Sequence, residues 1–169
     1  TNIVVTDSTG VIYKGRKGMA SYKNELAKVT NPNNIEGLLL DAVKGADVLV
    51  GVSGPGTISR AHIEVMAKDA IVFALANPIP EIKPDDARAA GARIVATGRS
   101  DYANQVNNSL AFPGIFRGAL DRGVTAITDE MKLAVAKKIA GLVKKPTAEC
   151  VIPSVMTPGL VKAVSSVIK

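Results

Sequence analysis

The chain has 169 residues, 47% hydrophobic and 21% charged, with 21 Lys+Arg against 15 Asp+Glu for a net charge of +6. Such a length suits one domain, and that apolar fraction excludes disorder over most of it. No apolar run reaches the roughly 18 residues of a membrane helix, and the single cysteine, Cys150, excludes an internal disulfide framework or a Cys-based zinc site. The expected setting is a reducing compartment, the cytoplasm, with no export signal and no membrane. The basic balance does not point to nucleic acid, because aromatic residues are only 4% with no Trp, so stacking platforms are scarce. Anionic small molecules or an acidic partner surface fit the charge instead.

In chain order, the β-branched run Asn2–Thr6 predicts a buried strand and Asp7-Ser8-Thr9-Gly10 a turn. Lys14–Gly18 reads as a loop and Ser21–Val29 as a short helix. Pro32 breaks the pattern, Asn34 is placed to cap a helix over Ile35–Val43, and Gly45 follows it. Asp47–Val52 predicts a second strand, Ser53-Gly54-Pro55-Gly56 a loop, and Ser59–Lys68 a helix. Ala70–Ala76 predicts a third strand that ends in Asn77-Pro78. Pro84–Ala90 reads as a helix with Pro at its start and Gly91 past its end. Arg93–Thr97 predicts a fourth strand. Gly98–Ser109 is a polar loop rich in Asn, Pro113–Leu120 a helix, Asp129–Val143 a longer helix capped by Thr128, and Pro158–Ile168 the last helix.

Short apolar strands alternating with helices predict an α/β fold, a Rossmann-like doubly wound parallel sheet with helices on both faces. The expected organisation is one partial dinucleotide-binding domain over 1–169, with a core over about 1–125 and a C-terminal helical segment over about 126–169. Parallel sheets bind ligands outside the carboxyl ends of their strands, and Asp7, Ser53, Asn77 and Thr97-Gly98 all fall there. An acid at such a position suits the hydroxyls of a ribose; taken alone, Asp7 reads equally as a turn aspartate. The Gly-rich turn that accompanies such an acid about 20 residues upstream is absent, since only six residues precede Asp7. Gly54-Pro55-Gly56 does not replace it.

The run Gly98-Arg99-Ser100-Asp101-Tyr102-Ala103-Asn104-Gln105-Val106-Asn107-Asn108, followed by Phe112-Pro113-Gly114, resembles the malic enzyme family in its bacterial and archaeal form. Ala74–Pro78, Val5–Tyr13 and Gly51–Gly56 match in the same order, and the resemblance covers nearly the whole chain. It implies oxidative decarboxylation of L-malate to pyruvate and CO2, reduction of NAD or NADP, and a Mn2+ or Mg2+ ion in the complete enzyme. By that resemblance Asp7 is the ribose-binding acid, and Ser53 and Gly54 lie on the loop beside the cofactor. Asn77 sits by the nicotinamide ribose and substrate, Asn107 by the nicotinamide and Asn108 by the malate. An Asn amide offers donors and an acceptor without adding charge, which suits a carboxylate and a carboxamide together.

The resemblance also implies that the catalytic tyrosine, lysine and metal carboxylates lie before Thr1; Tyr13, Tyr22 and Tyr102 match none of them. The expectation is therefore a cofactor-binding part, inactive alone and partnered by a missing N-terminal catalytic part, in a homo-oligomeric enzyme. Without a central first strand the sheet is expected to have two open strand edges facing a gap, and the isolated chain is not expected to fold stably. A longer protein or a compensating arrangement such as swapping would supply the rest. Asp7 argues for NAD by repelling a 2′-phosphate, an effect that Lys14, Arg16 and Lys17 could soften. The alternative function is a non-catalytic dinucleotide-binding or interaction module; an amino-acid dehydrogenase would need a lysine-rich constellation that the chain lacks.

The remaining candidates read blandly. His62 is expected to be a surface or satisfied histidine and Cys150 a buried small side chain. The lysines from Lys132 to Lys145 read as a solvated face, and Arg117 is expected to pair with Asp121 at i,i+4.

Overall fold

The structure, a computed structural model, describes residues 2–169. Its first paired element is a hairpin rather than a strand of the main sheet. Strand β1 (Thr6–Asp7) pairs antiparallel with β2 (Gly10–Val11), leaving Ser8-Thr9 as a two-residue loop. The Thr9 N–H donates to Asp7 Oδ1 at 2.9 Å and closes the turn. The strand expected over Asn2–Thr6 is not formed. Backbone carbonyls there accept single bonds, Ile3 from Asn31 N–H and Val5 from Ile12 N–H, without a continuous ladder, and Ile3 is half-exposed.

Helix α1 (Ser21–Val29) lies where the sequence predicts. Helix α2 is shorter than expected, covering only Leu39–Val43. Inside the expected span Gly37 takes φ 110° and Leu38 is extended, at φ −106° and ψ −174°, and a helix cannot run through either. The Asn34 side chain accepts the Lys14 N–H instead of capping α2, and the Asp41 carboxylate takes the Leu38 N–H.

Three parallel strands, β3 (Val48–Gly51), β4 (Ile71–Ala74) and β5 (Ile94–Thr97), form the main sheet in the order β3-β4-β5. The alternation of each strand sends one set of side chains to a buried face, where Leu49, Val72 and Val95 stand side by side. Helices α2, α3 (Arg60–Glu64) and α4 (Pro84–Ala89) belong to this layer, and Val43, Ile63 and Ala87 join its core. On the other face burial rises across the sheet, from Val50, 56% exposed, through half-buried Phe73 to buried Ala96. Among the described residues β3 pairs on one side only, and Val48, Val50 and Val52 are exposed along it.

A short 3-10 turn (Asn108–Leu110) leads to α5 (Phe112–Arg122), α6 (Asp129–Ala140) and α7 (Leu160–Ser165). These close a second core around Leu110, Val135, Leu160, Val164 and Ile168. Thr128 caps α6 by accepting the Met131 N–H, with Asp129 and Glu130 in the first turn and Lys137 and Lys138 in the last. Arg117 pairs with Asp121 at 2.6 Å, and the His62 ring nitrogen Nδ1 accepts the Ser59 N–H at 2.9 Å. Cys150 corrects the sequence reading: it is exposed, on a tight turn where Thr147 and Cys150 exchange backbone bonds.

Candidate functional site

The parallel register puts Gly51, Ala74 and Thr97 in one row at the carboxyl edge of the sheet. The loops that follow start at one level and carry Ser53, Asn77 and Gly98 respectively. Ser53 is exposed, and its hydroxyl bonds that of Thr57 at 2.8 Å. Thr57 also donates to the Gly54 carbonyl at 2.9 Å, so residues 53–57 form a closed turn with half-buried Gly54 inside it.

A groove of about 460 Å³ separates this edge from the hairpin. Thr6, Asp7 and Ser8 line one side and Leu49–Ser53 the other. Asp7 and Ser53, far apart in sequence, thus face one cavity.

Asp7 is not the bare acid that the sequence suggests. Arg16 grips both carboxylate oxygens, at 2.9 and 2.7 Å, and Lys23 on α1 reaches Oδ2 at 2.6 Å. With the Thr9 N–H, both oxygens have two partners. Arg16 is itself held by the Gly10 and Val11 carbonyls at 3.1 and 2.8 Å. The Arg16 guanidinium first, and then the Lys23 ammonium, hold the Asp7 carboxyl well below the usual carboxylate range. Two cations against one carboxylate leave this side of the groove net positive. Arg16 follows the hairpin closely enough to be suspected from sequence; Lys23 is brought in only by the packing of α1.

Asn77 is exposed just past β4 and lies against Gly98, where any Cβ would come within 2.8 Å of its amide nitrogen. The missing side chain at Gly98 gives Asn77 its place between the ends of β4 and β5. Arg99 ties the same two loops: it donates to the Pro78 carbonyl at 3.1 Å and forks onto Asp101 at 2.8 and 2.7 Å. That pairing lowers the pKa of Asp101 and raises that of Arg99.

The Asn-rich loop leaves β5 and returns to it. The Val106 N–H donates to the Thr97 carbonyl at 2.8 Å, and the Gln105 amide to that of Gly98 at 3.4 Å. Buried Asn104 anchors the loop, donating to the Val95 and Ala148 carbonyls and accepting the Val151 N–H. Asn107 is exposed, and its side chain caps the 3-10 turn through the Ser109 N–H at 2.9 Å. Asn108 is exposed too, and among the described residues its amide has no partner. Asn104 is therefore structural, whereas Asn107 and Asn108 are presented outward.

Sequence reasoning missed Glu81. It is fully buried, and its carboxylate accepts the Ser53 N–H at 2.8 Å and the Ala76 N–H at 3.0 Å. The only signal was a lone acid inside the apolar stretch Ile79-Pro80-Glu81-Ile82.

The sequence profile described as "Malic enzyme, NAD binding domain" matches residues 1–168. The chain is 52% identical to the bifunctional malic/malolactic enzyme of Bacillus subtilis over 97% of its own length and 42% of the relative's. It is 48% identical to the NAD-dependent malic enzyme of Geobacillus stearothermophilus, over 96% of this chain and 34% of that one. NADP-dependent malic enzymes also match. The crystal structure of the NAD-dependent malic enzyme of Thermotoga maritima superposes with a TM-score of 0.92 at 40% identity, covering 99% of this chain and 45% of that one. The chain thus spans less than half the length of these relatives. A three-stranded parallel sheet with its loops gathered at the carboxyl edge, and a family match from end to end, lead to one conclusion: this chain belongs to the malic enzymes and forms their NAD-binding domain.

Proposed function

We propose that the protein carrying this chain oxidises L-malate with NAD or NADP and releases pyruvate and CO2, and that this chain supplies the cofactor side of the site. The observation that carries the reading is the shared groove of Asp7 and Ser53, which opens at the carboxyl edge of a parallel sheet. Bound there, the dinucleotide would supply the hydride acceptor. In this reading the Ser53-Gly54 turn borders the cofactor, and the free amides of Asn77 and Asn108 orient the nicotinamide and the substrate carboxylate. Asn107 holds the turn that presents Asn108.

The positive Asp7–Arg16–Lys23 cluster removes the repulsion that would exclude a 2′-phosphate. We therefore read the domain as accepting both NAD and NADP rather than NAD alone. The divalent ion is a different matter. Among the described residues no three His, Cys, Asp or Glu side chains gather to hold a metal, and Asp7 is already engaged by two cations. The donor set described in this chain does not fit Mn2+ or Mg2+. The remaining catalytic part, homo-oligomeric assembly and a cytoplasmic setting belong to the same proposal. Among the described residues no helix is long and apolar enough to cross a membrane.

The test is malate-dependent reduction of each dinucleotide by the full-length protein with Mn2+ or Mg2+, with pyruvate measured as product. Reduction of both cofactors with matching pyruvate is the expected result. Dinucleotide binding without malate turnover would favour a non-catalytic binding module instead.

A further inference from the structure

We propose that Glu81 is a positioning residue for the cofactor: its carboxylate fixes, in one piece, the backbone of the Ser53 turn and of the Asn77 loop. The inference rests on the reading of those two loops as cofactor-facing.

The geometry begins where the sheet ends. The Leu75 N–H still donates to the Gly51 carbonyl at 3.1 Å, and beyond this the β3 and β4 chains diverge. The next inward N–H groups, Ser53 and Ala76, find no backbone carbonyl and turn to the two oxygens of Glu81. One carboxylate thus replaces a rung of the sheet. The Glu81 backbone joins in, since its carbonyl accepts the Ile58 N–H at 3.3 Å, just past the same turn.

A buried carboxylate is expensive to desolvate and is retained only where its bonds are good. Few side chains could take its place here. Two N–H donors need an acceptor with two oxygens, and Gln would set its own amide N–H₂ against one of them. Room for the carboxylate is made by Gly51, where a Cβ would lie 2.8 Å from Glu81 Cδ and 3.0 Å from Oε1. Ser53 borders the groove and Asn77 directly follows Ala76, so a shift of Glu81 moves both loops together. Arg99 joins the β4 loop to the β5 loop, and among the described residues Glu81 is the side chain that joins the β3 loop to the β4 loop.

The experiment uses the full-length protein and NADH, followed by fluorescence titration and by steady-state kinetics. For E81Q we expect the Kd for NADH and the KM for the oxidised dinucleotide to rise roughly tenfold, the loss of one charge-assisted hydrogen bond. The kcat at saturating dinucleotide should fall much less. A role confined to folding would lower the active fraction and the thermal midpoint while leaving Kd and KM unchanged, and that result would overturn the proposal. Should E81Q be recovered only as aggregate, G51A carries the same test, because its methyl group pushes the carboxylate off its donors. Wild-type protein that binds no NADH would remove the cofactor reading itself and this proposal with it. Wild-type binding with unchanged affinity in the variants would remove the proposal alone.

Discussion

Two carboxylates stand on either side of the cofactor reading, and they are stabilised by opposite means. Asp7, in the hairpin, lines the groove and is neutralised by the side chains of Arg16 and Lys23. Glu81, under the strand ends, is sealed from solvent and held by the fixed backbone N–H groups of Ser53 and Ala76. The contrast separates two jobs. Side-chain cations set a local charge. Backbone donors set a shape that tolerates no substitute.

The sharpest way to break this contrast is truncation at the rigid end. Glu81→Ala leaves two buried N–H groups unpaired and opens a void beside Gly51, so a loss of about 2–5 kcal/mol of stability is expected. Denaturant unfolding of the full-length protein measures it. A loss below about 1 kcal/mol would mean that water or a neighbouring carbonyl replaces the carboxylate. Asp7→Asn should cost less, about 1–2 kcal/mol, because the cluster borders the groove and Arg16 keeps its two carbonyl partners.

The same variant carries a pH signature. The Asp7 pKa is depressed in the folded protein, so its contribution is fully present above the unfolded value of about 3.9 and is lost as pH falls below it toward the folded one. Stability of the wild type should therefore decline through this acid window more steeply than that of D7N. Parallel curves would show that Asp7 is unpaired in solution.

Smaller effects sharpen the charge side. Lys23→Ala should raise the KM for NADP several-fold and that for NAD by less, since it deletes one of the two cations that neutralise Asp7 beside the groove. Equal changes for both would place Lys23 in the fold rather than in recognition. Arg117→Ala, which removes an exposed helical ion pair far from either carboxylate in sequence, should alter stability by no more than about 0.5 kcal/mol.

The sequence carried much of the sheet because its strands are short, β-branched and set off by Gly and Pro. Asp47–Val52, Ala70–Ala76 and Arg93–Thr97 all became strands at their centres. Asn2–Thr6 has the same composition but no continuous ladder partner, and a strand is defined by pairing that residue type alone does not supply. The helix expected from Ile35 was shortened because Gly37, inside it, takes a left-handed φ of 110° and the chain enters α2 only after an extended Leu38. Cys150 was read as buried from its type, yet the turn after α6 leaves it exposed.

At the candidate site the strand-end residues were legible because a parallel fold announces where its loops gather. Their partners were not. Lys23 stands on a helix 16 residues from Asp7, and only tertiary packing aims it at the carboxylate. Glu81 lies 28 residues from Ser53, and nothing local marks its two bonds to the backbone. Local pattern points to the exposed side chains at the strand ends, whereas the buried groups that set their geometry emerge only from contacts.

The most direct measurement of the central claim is titration of the full-length wild-type protein with NADH and NADPH, alone and then with malate under turnover. The account predicts saturable binding of both dinucleotides and malate-dependent formation of pyruvate. Failure to bind either dinucleotide would contradict it.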